Sequence, residues 1–208
     1  MTFPIELTLL RHGRSRADDE DVHEGRYDSP LTETGRAQVQ ARAAQWQAAG
    51  AHFDGIIASS LQRAQETARI IGSALNAPVE IDSDWMEFDN RPLAGLPFAE
   101  AEQHYPRPAF RNPYDAFHGV GESEWDFHSR AARAVQSVVR RESGVYLVVA
   151  HGGILNAALR GILGVPLPIN ESGAWFAFGD TGYARLGYRP EKHVWVLREL
   201  NPFPAESK

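Results

Sequence analysis

The feature that most constrains this chain is an apolar run that ends abruptly in charged residues and a glycine. Residues 5–10, IELTLL, have the length and composition of a buried strand. Arg11, His12 and Gly13 follow at once. A chain that leaves a buried strand in this way brings a guanidinium and an imidazole to the edge of a sheet.

Two later apolar segments end in the same manner. Strands are predicted at residues 53–59 and 145–150, and each runs directly into an amphipathic helix. The first delivers Ser59 and, one helical turn later, Arg63, whereas the second delivers His151. These positions lie near helix starts or glycine turns, where free backbone N–H groups favour an anion.

The alternation of strands and helices predicts the fold class. It indicates an α/β protein, a three-layer αβα sandwich with a mostly parallel central sheet and helices on both faces. The predicted helices cover residues 32–50, 60–75, 124–141 and 151–164. Alternating stretches in the tail predict further strands, near a sheet edge, at residues 174–179, 182–188 and 194–200.

No internal repeat and no linker interrupts the sequence, so a single domain over residues 1–208 is expected. Residues 88–128 are rich in proline and aromatic side chains and lack clear periodicity. We predict that they form a small insertion, or cap, over the C-terminal edge of the strands. Ser59 and Gln62, three residues apart at a helix start, predict a capping box.

Composition excludes several classes of protein. The absence of cysteine excludes disulfides, thiolate metal sites and a thiol nucleophile. A net charge of −6 argues against nucleic acid as a partner. No apolar stretch is long enough to cross a bilayer, and the start lacks the pattern of a secretory signal. We therefore expect no membrane partner and a cytoplasmic location.

Ligands of open α/β sheets bind outside the carboxyl ends of the strands. Arg11, His12, Arg63 and His151 are therefore expected to converge on one rim of the sheet. Two guanidiniums at such a rim suit a phosphoryl group, because they grip and neutralise its oxygens.

Several longer motifs occur in order along the chain. They are LTLLRHGRS (7–15), GRYDSPLTETGRAQ (25–38), IIASSLQRAQETA (56–68), WMEFDNRPLAGL (85–96), GES (121–123) and VVAHGGILNAAL (148–159). Together they resemble the histidine phosphatase superfamily, the phosphoglycerate-mutase-like fold. Arg-His-Gly alone would not be specific, whereas the ordered set is.

The resemblance implies three catalytic residues, His12, Glu87 and His151, the last of which would also bind the phosphoryl group. His12 would be the nucleophile and become a phosphohistidine, and Glu87 would donate a proton to the leaving group. A nucleophilic imidazole must be neutral, and neighbouring arginines lower its pKa. Burial and the charge of an arriving phosphate would raise the pKa of Glu87, which could then act as a base towards water.

The resemblance also implies a set of phosphate-binding residues. Arg11, Arg63 and His151 would hold the phosphoryl oxygens, with Ser15 and Gly25 as further candidates. With a protonated His151, the first three would offer about three positive charges to a dianionic phosphate. No cofactor and no metal is implied, since HExxH is absent and the remaining histidines lack ligand-like spacing.

The sequence departs from the family pattern at five positions. Arg14 and Asp18 replace a frequent Glu or Gln and a frequent Asn after the nucleophile. Arg91, Leu93 and Ala94 stand where Gly, Trp and Glu are common. We predict that Asp18, which begins the run DDED, lies in a solvated loop. The alternative is a rim that repels highly anionic substrates or attracts a cationic group.

These observations favour a metal-independent phosphomonoester hydrolase that acts on a small phosphorylated metabolite. A phosphoglycerate mutase is the alternative, but residues 87–91, EFDNR, and the short aromatic insertion favour hydrolysis. A catalytically silent phosphate-binding homologue is a third hypothesis, against which the intact set of five residues argues. The apolar tail strands are compatible with a homodimer.

Overall fold

One mixed sheet organises the chain, which a computed structural model describes over residues 3–170 and 172–202. Within these residues its strands are β1 (Ile5–Arg11), β2 (Gly55–Ala58), β3 (Val79–Ile81), β4 (Gly144–Ala150), β5 (Tyr183–Arg189) and β6 (Val194–Asn201). The α-helices are α1 (Arg16–Asp19), α2 (Glu33–Ala48), α3 (Gln62–Leu75), α4 (Phe98–His104), α5 (Glu124–Val139) and α6 (Gly152–Leu163). The predicted domain over residues 1–208 also takes in residues 1, 2, 171 and 203–208, which lie outside the described residues.

The strands lie side by side in the order β3-β2-β4-β1-β5-β6. The pairs β2–β3, β2–β4 and β1–β4 are parallel, whereas β5 is antiparallel to both β1 and β6. The mostly parallel sheet is therefore confirmed. Its register pairs Arg11 with Ala150, so that the next residues, His12 and His151, leave neighbouring strands at the same level.

Helices cover both faces of the sheet, as a three-layer sandwich requires. On one face Val148 of β4 shares a buried cluster with Ala134 of α5 and Leu155 of α6. On the other face Leu147 of β4 shares a cluster with residues of α2 and α3, among them Ile71. Burial on both faces explains why β4 is a continuous apolar run rather than an alternating one.

The predicted strand at residues 174–179 is wrong, because side chains of α6 satisfy its backbone. The Asn156 amide donates to the carbonyl of Phe176 and accepts from its N–H. The Arg160 guanidinium donates to the carbonyl of Ala174. With its polar groups paired in this way, the segment needs no neighbouring strand. The elements β3 and α4 are short, and periodicity did not predict them.

The segment predicted as an insertion over residues 88–128 contributes its last five residues to α5, which begins at Glu124. Ser123 caps that helix by accepting the N–H of Asp126. Further back, backbone hydrogen bonds join His23 in the loop after β1 to Gly95 and Leu96. The cap is thereby tied to the rim where β1 ends.

Candidate active site

The two imidazoles that follow β1 and β4 lie side by side. The ring centres of His12 and His151 are 5.0 Å apart with a tilt of 60°, and both residues are fully buried. Because β1 and β4 are neighbours in parallel register, their carboxyl ends set this separation. The structure therefore brings together residues that lie far apart in the sequence, as predicted.

His12 presents an unprotonated nitrogen to the site. Its Nδ1 lies 2.6 Å from the carbonyl oxygen of Gly13, to which it donates. Its Nε2 accepts a hydrogen bond from Nε of Arg63 at 3.2 Å, which assigns the lone pair to that nitrogen. Burial, reinforced by the charges of Arg63 and Arg11, holds the pKa of His12 well below its usual value.

Arg63 is held rigidly in the first turn of α3 although it is fully buried. Its Nη1 donates to the carbonyl of Tyr27 and its Nη2 to that of Gly25, both at 2.8 Å. These two bonds turn Nε towards His12. A planar guanidinium with several fixed donors suits this arrangement better than a flexible ammonium group would.

Arg11 reaches the same rim from the end of β1. Its Nη1 donates to the carbonyl of Phe178 at 3.0 Å. Its Nη2 lies 3.6 Å from a carboxylate oxygen of Asp18 and 3.7 Å from one of Asp180. Helix α1 and the segment before β5 thus orient this guanidinium together.

Gly13 is required for packing against α2. A Cβ at this position would lie 2.6 Å from the carbonyl oxygen of Gly35 and 2.8 Å from a methyl carbon of Val39. The Gly13 N–H donates to the hydroxyl of Thr67, which in turn donates to the carbonyl of Arg63. The glycine therefore lets the loop after β1 approach both α2 and α3.

The His151 imidazole is fully buried next to His12. Burial, together with Arg63 and His12, holds its pKa well below the usual value. Its Nε2 lies 2.8 Å from the hydroxyl of Ser59, and Nδ1 has no hydrogen-bond partner among the described atoms. The predicted capping box is wrong, because Ser59 bonds this imidazole and Leu61 is the N-cap of α3.

The Glu87 carboxyl lies at the N-terminus of α6, next to the residues that follow His151. It accepts the N–H groups of Phe88 and Gly153 at 2.8 Å and that of Ile154 at 3.1 Å. Burial raises the pKa of Glu87, although two of these N–H groups and the charge of Arg63 oppose the rise. A carboxyl with a raised pKa is suited to donate a proton near neutral pH.

Ser15 and Gly25, the two further phosphate-binding candidates, form hydrogen bonds with other residues of the site. The hydroxyl of Ser15 lies 3.0 Å from an Asp18 carboxylate oxygen and 2.5 Å from one of Glu24. The carbonyl of Gly25 binds Arg63. Asp18 does not lie in a solvated loop, since it closes a capping box at the start of α1 and faces Arg11.

Glu24 is a residue of this site that sequence reasoning missed. Its carboxylate lies 3.0 Å from Nε of Arg63 and 3.9 Å from Nε2 of His12. Glu24 stands directly before Gly25, the first residue of the motif GRYDSPLTETGRAQ. This position was the signal that could have identified it as a site residue.

A cleft of about 320 Å³ opens beside these groups. Its lining includes Glu24 and Glu87. Aromatic side chains line it as well: Phe88, Phe127 and Trp175. The cleft is large enough for a small organic group next to these two carboxyl groups.

Residues 3–170 and 172–202 contain neither a candidate metal cluster nor a membrane-spanning helix. No group of three or more histidine, aspartate or glutamate side chains there is placed to hold a metal ion. In the same part of the chain, no helix is long and apolar enough to cross a membrane.

Comparison with known proteins agrees with this geometry. Residues 7–201 match the family model of the histidine phosphatase superfamily, branch 1. The chain belongs to this superfamily. It is a histidine-phosphatase enzyme with an α/β fold.

The relatives carry different names. A broad-specificity phosphatase of Saccharomyces cerevisiae is 26% identical over 75% of this chain and 69% of its own length. A probable phosphoglycerate mutase of Enterobacter is 30% identical over 78% of this chain and 76% of its own length. A bifunctional protein of Mycobacterium tuberculosis is 34% identical, and the match covers 76% of this chain but 44% of that protein.

Among solved structures, a mycobacterial glucosyl-3-phosphoglycerate phosphatase in complex with vanadate superimposes with a TM-score of 0.77. The two chains are 25% identical, and the match covers 95% of this chain and 99% of the other. A structure named as a putative α-ribazole-5′-phosphate phosphatase of Escherichia coli, 23% identical, has a TM-score of 0.82 over 98% of this chain and 99% of that one.

Proposed function

We propose that this enzyme hydrolyses phosphomonoesters through a phosphohistidine on His12, with a small phosphorylated metabolite as substrate and no need for a metal ion. The observation that carries the proposal is the buried, unprotonated Nε2 of His12, which Arg63 contacts at 3.2 Å beside a second imidazole. Phosphoryl transfer depends mainly on such positioning and on charge neutralisation.

In the first step the Nε–H of Arg63 releases His12 Nε2 and donates to a phosphoryl oxygen instead. The freed lone pair of Nε2 forms a bond to phosphorus, and the bond from phosphorus to the leaving oxygen breaks. Protonated Glu87 gives its proton to that oxygen. Arg11, Arg63 and His151 hold the three remaining oxygens. The raised pKa of Glu87 supports its part as the acid.

In the second step the Glu87 carboxylate takes a proton from water. The water oxygen bonds to phosphorus while the bond from phosphorus to His12 breaks. Inorganic phosphate leaves, His12 is again neutral and Glu87 is again protonated. The cycle therefore consumes one water molecule per ester.

The lining of the cleft argues against a phosphoglycerate mutase, because its positive charge is already paired within the protein. A mutase must hold the carboxylate of its substrate as well as the phosphoryl group. Arg111 lines the cleft, but its Nη2 lies 3.1 Å from a Glu124 carboxylate oxygen. Its guanidinium is also stacked over Phe88 and Phe117. These contacts favour hydrolysis.

The test is hydrolysis of phenyl phosphate in the presence of EDTA. We expect turnover by the native chain, loss of at least about a thousandfold in His12→Ala, and native turnover in His52→Ala, whose imidazole is exposed. Circular dichroism establishes that both variants fold. Full activity in His12→Ala would refute the nucleophile, and isomer exchange of phosphoglycerate faster than phosphate release would favour the mutase.

A further inference from the structure

A carboxylate already occupies the anion-binding face of the site. Glu24 Oε1 lies 3.0 Å from Nε of Arg63, and Oε2 lies 3.9 Å from Nε2 of His12. The hydroxyl of Ser15 contacts the same Oε1 at 2.5 Å. These contacts place a carboxylate beside the proposed nucleophile.

The nitrogens that Glu24 faces are those that a transferred phosphoryl group must meet. His12 Nε2 must approach phosphorus, and Arg63 must approach one of the phosphoryl oxygens. Two anions cannot share these positions at close range, because like charges in one site strongly disfavour each other. A phosphate that binds here therefore requires Glu24 to move outwards.

Ser15 shows that the surroundings are already crowded with negative charge. Its hydroxyl carries one proton, yet it lies within hydrogen-bond distance of both Glu24 and Asp18. Asp18 and Asp180 each lie within 3.7 Å of the Arg11 guanidinium. Both guanidiniums of the proposed phosphoryl site thus face carboxylates before any substrate arrives.

We propose that Glu24 is a specificity-determining residue, whose carboxylate lies at the phosphoryl position beside Arg63 and His12 and selects against ligands rich in negative charge. This inference rests on the proposed function. Two consequences follow. The product, inorganic phosphate, binds weakly and leaves readily. Esters with a second anionic group near the phosphoryl group are poorer substrates than neutral ones.

The first experiment measures the dissociation constant of inorganic phosphate by titration calorimetry. Glu24→Gln keeps the size of the side chain and replaces the charge by an amide that donates to phosphate. We expect phosphate to bind about tenfold more tightly to this variant than to the native chain. Glu66→Gln is the matched control, because Glu66 pairs with Arg36 and does not line the cleft.

The second experiment compares kcat/KM for phenyl phosphate and for 4-carboxyphenyl phosphate. The native enzyme should prefer the neutral leaving group, and Glu24→Gln should reduce that preference by about threefold or more. Unchanged or weaker phosphate binding in Glu24→Gln, or an unchanged preference, would overturn the inference. Calorimetry needs no turnover, so a native chain that binds phosphate without hydrolysing esters would refute the proposed phosphatase alone.

Discussion

Arg63 Nε and His12 Nε2 share a hydrogen bond of 3.2 Å. The arginine that would bind the phosphoryl group therefore also fixes the lone pair of the proposed nucleophile. Both residues are fully buried, and carbonyls of the loop after β1 anchor the guanidinium. The reactive imidazole is held in one tautomer and one orientation before a substrate enters.

The role of Glu87 can be tested through the leaving group. Gln at position 87 cannot supply a proton, so Glu87→Gln should lower kcat/KM for phenyl phosphate, which reports only the steps up to departure of the leaving group, by about a hundredfold. The decrease for 4-nitrophenyl phosphate should be about tenfold smaller, because nitrophenolate leaves without full protonation. Steady-state kinetics on both esters makes the comparison, with Glu100→Gln in α4 as the control. Equal losses on the two esters would show that Glu87 is not the acid.

Gly153 is expected to be essential because of the space that Glu87 needs. A Cβ at position 153 would overlap the Glu87 carboxyl, whereas a Cβ at Gly161 in the same helix meets nothing within 4 Å. Gly153→Ala should lower kcat for phenyl phosphate at least about tenfold. Gly161→Ala should keep the native rate and gain up to about 1 kcal/mol in stability. Kinetics and urea unfolding of the pair check both statements, and native kinetics in Gly153→Ala would contradict them.

The buried histidines predict how stability depends on pH. The pKa values of His12 and His151 are lowered in the folded chain, so the unfolded chain binds more protons as the pH falls below about 6.5. Stability therefore decreases as the pH falls, and the two groups together should remove roughly 2 kcal/mol between pH 7.5 and pH 5.5.

Urea unfolding at the two pH values measures this loss. The double variant His12→Asn/His151→Asn should show a smaller decrease, whereas His52→Asn should behave as the native chain, because His52 is exposed. The same decrease in the double variant as in the native chain would mean that other groups cause it.

The alternation of strands and helices sufficed to predict a mostly parallel sheet between two helical layers, because the longer buried elements carry a recognisable apolar pattern. β4 and α6 are of this kind, since their apolar patterns match their burial. Residues 174–179 were misread because an alternating pattern does not say what pairs with the backbone. There the partners are Asn156 and Arg160, which lie on α6 and act over a long sequence separation.

The proximity of His12, Arg63 and His151 could be predicted, because parallel strands bring their carboxyl ends to one edge. The lowered pKa of His151 could not be predicted, since it depends on how deeply the imidazole is buried. The position of Glu24 depends on the path of an irregular loop, and no periodic signal predicts such a path. The path of an irregular loop and the burial of an ionisable side chain therefore could not be predicted from the sequence.

The reversal of chain direction at β5 has a consequence for the integrity of the rim. Since β5 runs against β1, the residues that precede it return to the end of β1. There Phe178 accepts from the Arg11 guanidinium, Gly182 from the Arg11 N–H, and Thr181 donates to the His12 carbonyl. A fragment that ends after α6 would retain the Arg-His-Gly and His-Gly-Gly segments. It would lack the carbonyls of Phe178 and Gly182, which orient Arg11. The geometry of the proposed active site thus depends on residues just before β5, none of which is proposed to react.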